Sequence, residues 1–497
     1  MTGKRKFIYN GLMLTLVGFA MRGSALFLGA YVSGVIGAEG MGLQGLIATV
    51  YSLAVTFATS GVSLSVTRLV AASVGTGGDV GILRGAFVYA AFFGTLATAL
   101  LFLFADVIGG VILLDGRTAA ALRILALSLL PMALSGVISG YFVAVRRVVL
   151  NATVGVIGQV MRIGLTIILL LRLSDGSTES AVRALALGVT VTEVVCFLVA
   201  LVELVFDRRK FGRKVGRQGG LAQVAGMALP LATSAYVRSF LMSVEHSLIP
   251  RRLMERGDTR EEALSSYGYL GGMALPIVLF PMTPLTSFSG LLVPEFAESE
   301  GAGDSRRMER IATRAIAVTL VFATVVAVYI YAFSESLGYV VYGTYEAGRY
   351  VGVLSLVIPI MYLDHVTDSM LKGIGEHVYS MWVNIADSLL SVALVWVLIP
   401  IFGIFGYALV IILMELFNFT LSFIRLRRRI CFKMDLLRSF AVPFILSSLS
   451  VYVASTVLRI SPTNEGVVWL ALKITFALCL LVTLAFIVDM ARKFYIK

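Results

Sequence analysis

Apolar runs of about 20–28 residues follow one another along almost the whole chain, parted by short connectors rich in Gly, Arg and Lys. A helix that crosses a bilayer needs about 20 apolar residues, whereas a barrel strand needs only about 10. The runs therefore predict helices, about 14 of them at this spacing. They lie near residues 8–36, 43–70, 83–109, 120–145, 149–171, 182–206, 222–249, 265–293, 311–334, 350–371, 377–400, 403–424, 437–459 and 466–490. The expected fold class is an all-α polytopic membrane protein.

An internal repeat divides these spans. LSLLP, ending at Pro131, answers to LSLVIP, ending at Pro359. SGVSLSVTRLVA resembles SGLLVPEFAES, and aligning ALGVTVTEVVCFLVAL with ALVIILMELFNFTLSF superposes Glu193 on Glu415. Arg22 falls on Arg238 in the same order. Spans 1–6 and 7–12 thus read as two copies of a six-helix unit. Six is even, so both copies start on one side and form parallel repeats about an axis along the membrane normal. The expected organisation is an N-lobe over 1–220, a C-lobe over 221–434, and two additional C-terminal helices over 435–497.

Composition removes other classes. Of 497 residues, 58% are hydrophobic and 14% charged, which excludes a soluble domain of useful size. The net charge of +12 would raise nucleic acid as a partner in a soluble protein. Here the basic residues gather in alternate connectors, among them GKRK, DRRKFGRKVGR, SRRMER, RLRRRICFK and ARKFYIK. That pattern is a topology signal: it puts both termini in the cytoplasm and leaves the bilayer, not nucleic acid, as the surrounding partner. Cys196, Cys431 and Cys479 are too scattered for a metal site or a disulfide framework. No P-loop, Ser/His/Asp constellation or zinc motif is present. The expectation is a transporter rather than an enzyme, without a cofactor, driven by H⁺, Na⁺ or the membrane potential.

The candidate chemistry is charge at membrane depth. Arg22 and Arg68 lie in the first hairpin, Phe19–Ala71, and an arginine there costs about 2.5–3.5 kcal/mol on insertion scales. If the repeat holds, Arg22 and Arg238 face each other across the pseudo-axis as a receptor for a diphosphate, with Arg68 as an accessory. The alternative is that each arginine pairs with a carboxylate or caps a broken helix. Asp364 and Asp368, in MYLDHVTDSMLKG, share one helix face with Lys372. With Asp387, Glu193 and Glu415 they are candidates for ion coupling. A charge-compensation network around Lys372 is the other reading. PIVLFPMTP predicts a sharp bend in span 8.

Three stretches carry a family resemblance: GAEGMGLQGLIATVYSLAVTFATSGVSLSVTRLVA, the linker IPRRLMERGDTREEALSSYG, and MYLDHVTDSMLKGIGEHVYSMWVNIADSLLSVALVWVLIP. They resemble the stage V sporulation protein B group, which is similar to the lipid II flippases of the multidrug/oligosaccharidyl-lipid/polysaccharide exporter superfamily. The resemblance implies export of an undecaprenyl-diphosphate-linked sugar, cell-wall synthesis enzymes as partners, and a lipid-tail groove on the last two helices. It also implies functional arginines on spans 1, 2 and 8. Arg22 and Arg68 match the first two. Span 8 departs, with Tyr269 near the place of the third, and Arg238 is the candidate substitute. A cation-coupled multidrug antiporter of the same superfamily and a non-transporting protein of cell-wall or spore-envelope assembly stand as alternatives.

Overall fold

The computed structural model describes residues 3–73, 79–211, 220–458 and 466–495. Among them every regular element is a helix. Among the described residues twelve helices are long and apolar enough to cross a bilayer, or 13 with the bent pair Tyr345–Ser355 and Ile358–Gly373. One of these, Leu16–Ala72, runs for 57 residues. At 1.5 Å per residue that is about 85 Å, far more than one crossing of about 30 Å. It therefore supplies two crossings, in line with the expected number.

The connector between these crossings is a single residue. Only Gly37 leaves helical geometry, with φ 67° and ψ −173°, a conformation open to glycine and closed to L side chains.

Packing sorts the chain into two compact units. One is continuous, Gly42–Arg251; the other is discontinuous, Met1–Met41 with Arg252–Lys497. These boundaries differ from the sequential division at 220/221. The first helix packs with the later part of the chain, and residues 221–251 pack with the earlier part. The pair of C-terminal helices belongs to the discontinuous unit. Both boundaries fall inside helices, Gly3–Thr59 and Leu221–Arg256.

In the continuous unit, Arg117–Ala144 packs against Val62–Ser73, Asp79–Leu103 and Thr178–Phe211. Pro131 sits within that helix without ending it. The break before Val62 is held at Ser60, whose φ is 46°. The hydroxyls of Tyr89 and Tyr236 both bond to its side chain. Residues 212–219 of the basic connector lie outside the described residues.

In the discontinuous unit the core lies among Thr283–Gly301, Ser305–Ala332, Ile358–Gly373 and Ile404–Arg429, where Phe296, Ala312, Val366 and Met370 are fully buried. Between lipid-embedded helices such packing is held by close van der Waals contact, because lipid is as apolar as the side chains.

The hairpin of Ser334–Tyr342 and Tyr345–Ser355 shows how close the contact is. A Cβ on Gly348 would stand 2.5 Å from the Cα of Glu335. Gly348→Ala is expected to destabilise the protein by about 1–3 kcal/mol through overpacking. A thermal melt in detergent reads this, and an unchanged midpoint would show that the backbones can separate freely. The span that follows bends by 57° between Ser355 and Ile358, where Pro359 opens the second piece.

Candidate functional site

The expected bend in span 8 takes the form of successive changes of helical pitch. Gly268–Ala274 is π-helical, Leu275–Leu279 α-helical and Phe280–Met282 3₁₀-helical before Thr283–Gly301 resumes the α-helix. Proline explains the tightening. Pro281 and Pro284 lack N–H groups and cannot bond the carbonyls four residues back. The Thr283 N–H and hydroxyl turn instead to the carbonyl of Phe280. The Leu279 carbonyl thereby loses the Thr283 N–H that a regular α-helix would give it.

Arg22 takes that carbonyl. Its Nη1 donates to Leu279 O at 2.8 Å. Phe19, one turn earlier, meets Phe280 edge-on with ring centroids 5.6 Å apart, which seats the first helix against the break. Arg22 forms no ion pair among the described residues. One of its five N–H donors is thus spent on a neutral acceptor, and its charge stays uncompensated. It lines a cavity of about 340 Å³ with Leu26, Gly29, Pro276, Phe280 and Tyr342. This fulfils the helix-break alternative and leaves donors to spare for a ligand. Tyr362 secures the same break from the other side: fully buried, it donates to Val278 O at 2.9 Å.

The other candidate cations stand elsewhere. Arg68 is exposed on Val62–Ser73, and Arg238 is exposed on Leu221–Arg256. Both belong to the continuous unit, and neither has a hydrogen bond or ion pair among the described residues. Tyr269 stacks on Tyr350 with centroids 6.5 Å apart.

Of the candidate carboxylates, four come together in the discontinuous unit. Asp364 lies within electrostatic range of Asp368 and Asp387, and Glu415 within range of Asp364 and Asp387. Lys372 binds only one of them directly, Asp368, at 2.5 Å. One oxygen of Asp364 is buried without a hydrogen-bond partner. Glu193 is separate: in the continuous unit it accepts a 2.8 Å bond from Arg162, a partner that the repeat alignment did not indicate. The two glutamates that superpose in sequence therefore sit in unlike surroundings. Among the described residues no three His, Cys, Asp or Glu side chains are placed to hold a metal ion.

A second acidic group outside the spans holds the fold. Glu376, buried in the connector before His377, accepts bonds from Arg425 at 2.8 Å and Arg429 at 2.7 Å. These hydrogen bonds, Arg425 first, hold its carboxyl below the usual range. A depressed folded pKa means that the carboxylate stabilises fully above the ordinary glutamate value near 4.5. That contribution fades as pH falls from there through the lower folded value. Glu376→Gln is expected to lower the melting midpoint at pH 7 and to flatten its fall below about pH 4.5. Melts at pH 7, 5 and 3.5 check this, and parallel curves for the two proteins would remove the role.

Residues 7–300, more than half of the chain, match the family described as polysaccharide biosynthesis protein. The chain belongs to the polysaccharide biosynthesis protein family. Residues 257–397 of this family member also match MatE, over the stretch that carries the broken span, Asp364, Asp368 and Asp387. The chain is 24% identical over 421 residues to stage V sporulation protein B of Bacillus subtilis (strain 168), covering 82% of this chain and 81% of that protein. Its fold is that of the lipid II flippase MurJ in an inward closed conformation, with TM-score 0.73, 14% identity, and coverage of 98% of this chain and 100% of that one. An inward-facing multidrug resistance MATE family transporter of the MOP superfamily aligns with TM-score 0.70 and 16% identity, over 85% of this chain and 97% of that one. The protein is a multi-pass membrane protein with the MOP-superfamily transporter fold.

Proposed function

We propose that this protein exports a lipid-linked oligosaccharide, an undecaprenyl-diphosphate sugar such as lipid II or a related envelope precursor, across the cytoplasmic membrane by alternating access. The observation that carries the reading is Arg22: a guanidinium at membrane depth, facing a cavity, anchored on a peptide carbonyl and not neutralised by an acid. A permanent cation in a low-dielectric cavity favours an anion, and its planar fork suits phosphate oxygens. The relatives named for lipid II flipping and sporulation support the same substrate class. In this reading Arg68 and Arg238 add cationic surface, both termini are cytoplasmic, and cell-wall synthesis enzymes consume the exported product.

The carboxylates supply the drive. Asp364, Asp387 and Glu415, with Asp368, would take up H⁺ or Na⁺. The segment Ile358–Gly373 links them to the cation, because it carries both Asp364 and Tyr362, and Tyr362 holds Val278, the neighbour of Leu279. The same cluster and the MatE match favour a second reading, a cation-coupled multidrug antiporter. Thermal stabilisation of the purified protein separates the two. The export reading expects a raised midpoint with a polyprenyl-diphosphate sugar and none with a cationic drug; the reverse result would install the antiporter.

A further inference from the structure

The cavity at Arg22 holds a second polar group that neither the repeat nor the relatives point to. Tyr342 comes from the short helix Ser334–Tyr342, far along the chain, and its ring lines the same cavity wall as Arg22 and Gly29. Its hydroxyl is buried and has no hydrogen-bond partner among the described residues. A buried hydroxyl without a partner costs free energy, so its persistence at a cavity wall calls for an occupant that satisfies it. A Cβ built on Gly29 would stand 3.8 Å from that oxygen and meet nothing else within 4 Å. Gly29 thus places no side chain beside the hydroxyl.

The hydroxyl is also held in place. Gly343, in the left-handed region at φ 71°, ends the helix immediately after Tyr342. Thr344 then starts the next helix by accepting the Glu346 N–H at 3.2 Å. The close contact of Gly348 with the preceding helix fixes the hairpin as one piece. A donor on so rigid a support selects by geometry.

We propose that Tyr342 is a specificity-determining residue of the Arg22 cavity: its hydroxyl donates to an oxygen of the phosphoryl group that Arg22 attracts. The proposal rests on the export reading and deepens it, since it assigns the recognition of the anionic head to one guanidinium and one phenol. The remaining cavity wall is largely apolar, and about 340 Å³ is at the small end of ligand sites. The cavity accordingly takes the phosphoryl part of a ligand and leaves a glycan outside it.

The test uses the full chain in detergent with geranylgeranyl diphosphate as a lipid-linked probe and inorganic pyrophosphate as a free one. Tyr342→Phe removes only the hydroxyl. It is expected to weaken the diphosphate probe about 10- to 100-fold, as for a hydrogen bond to a charged group. The ligand-free melting midpoint should stay level or rise, because a buried orphan is gone; a fall would show a structural hydroxyl and overturn the proposal. Gly29→Leu, which fills the space and leaves both polar groups in place, should also abolish binding. Loss in the lipid arm alone assigns the site to a lipid headgroup, and loss in both arms assigns it to phosphate chemistry from either source. Arg22→Ala separates the two levels of the argument. Affinity lost there but unchanged in Tyr342→Phe overturns the role of Tyr342 only. Affinity unchanged in Arg22→Ala overturns the export reading beneath it.

Discussion

Replacing Arg22 by alanine is expected to abolish export while the protein still accumulates in the membrane. Truncating one partner of a desolvated charge pair costs about 2–5 kcal/mol, so affinity for a diphosphate head should fall at least ~30-fold. The fold should tolerate the change. The variant loses one hydrogen bond, worth about 1 kcal/mol net. Against this, it no longer holds an arginine in the bilayer, a saving of about 2.5–3.5 kcal/mol. Loss of function without loss of protein is thus the distinctive outcome. Arg22→Lys should recover part of the affinity, since it keeps the charge but not the fork. Headgroup appearance at the outer leaflet, measured in cells that depend on this chain, gives the result. Normal appearance in Arg22→Ala would falsify the proposed role.

Asp364→Asn is expected to uncouple transport from its ion gradient with binding of the diphosphate probe retained. The side chain keeps its shape, but a titratable group within range of Asp368, Asp387 and Glu415 disappears. The remaining acids thereby lose a neighbour that they sense electrostatically, and with it much of their response to the ion. Gradient-driven uptake into vesicles should drop by about tenfold or more, the equivalent of at least 1.4 kcal/mol. Imposing a proton gradient and a sodium gradient in turn identifies the ion. A variant that retains full gradient dependence would show that these carboxylates only compensate Lys372. Glu193→Gln is the matched control. Its carboxylate is already paired with Arg162 in the other unit, and gradient dependence should survive.

Much of this was legible before any fold was known, because a bilayer restricts what an apolar chain can do. Run length alone separates helices from strands, and the positions of most crossings follow. PIVLFPMTP marked the break in span 8, since missing N–H groups act locally. Arg22 stood out for the same reason: its cost is a property of one residue in one solvent. What resisted reading was everything set by distant packing. The Leu279 carbonyl loses the Thr283 N–H because of the 3₁₀ turn beside it, and no residue type announces that. Tyr342 belongs to a hairpin whose direction depends on glycine contacts, and a tyrosine between spans is otherwise ordinary. The repeat placed Glu193 and Glu415 in register, yet it could not reveal that Arg162 neutralises the first while the second faces other acids. The exchange of first helices between the packing units was equally hidden, since sequence order gives no sign of it.

That exchange bears on how the protein is made. The helix bearing Arg22 leaves the ribosome well before its acceptor, for the carbonyl that receives it lies 257 residues later. At about 5–20 residues per second, that is roughly 13–50 s of synthesis. For this interval an arginine sits at the membrane with its eventual acceptor still untranslated. Snorkelling toward a headgroup phosphate is the available refuge. Assembly of the cavity then becomes a handover, in which Arg22 leaves a lipid phosphate for a peptide oxygen. The nascent chain would thus meet, as a temporary lodging, the same chemistry as the ligand proposed for the finished cavity.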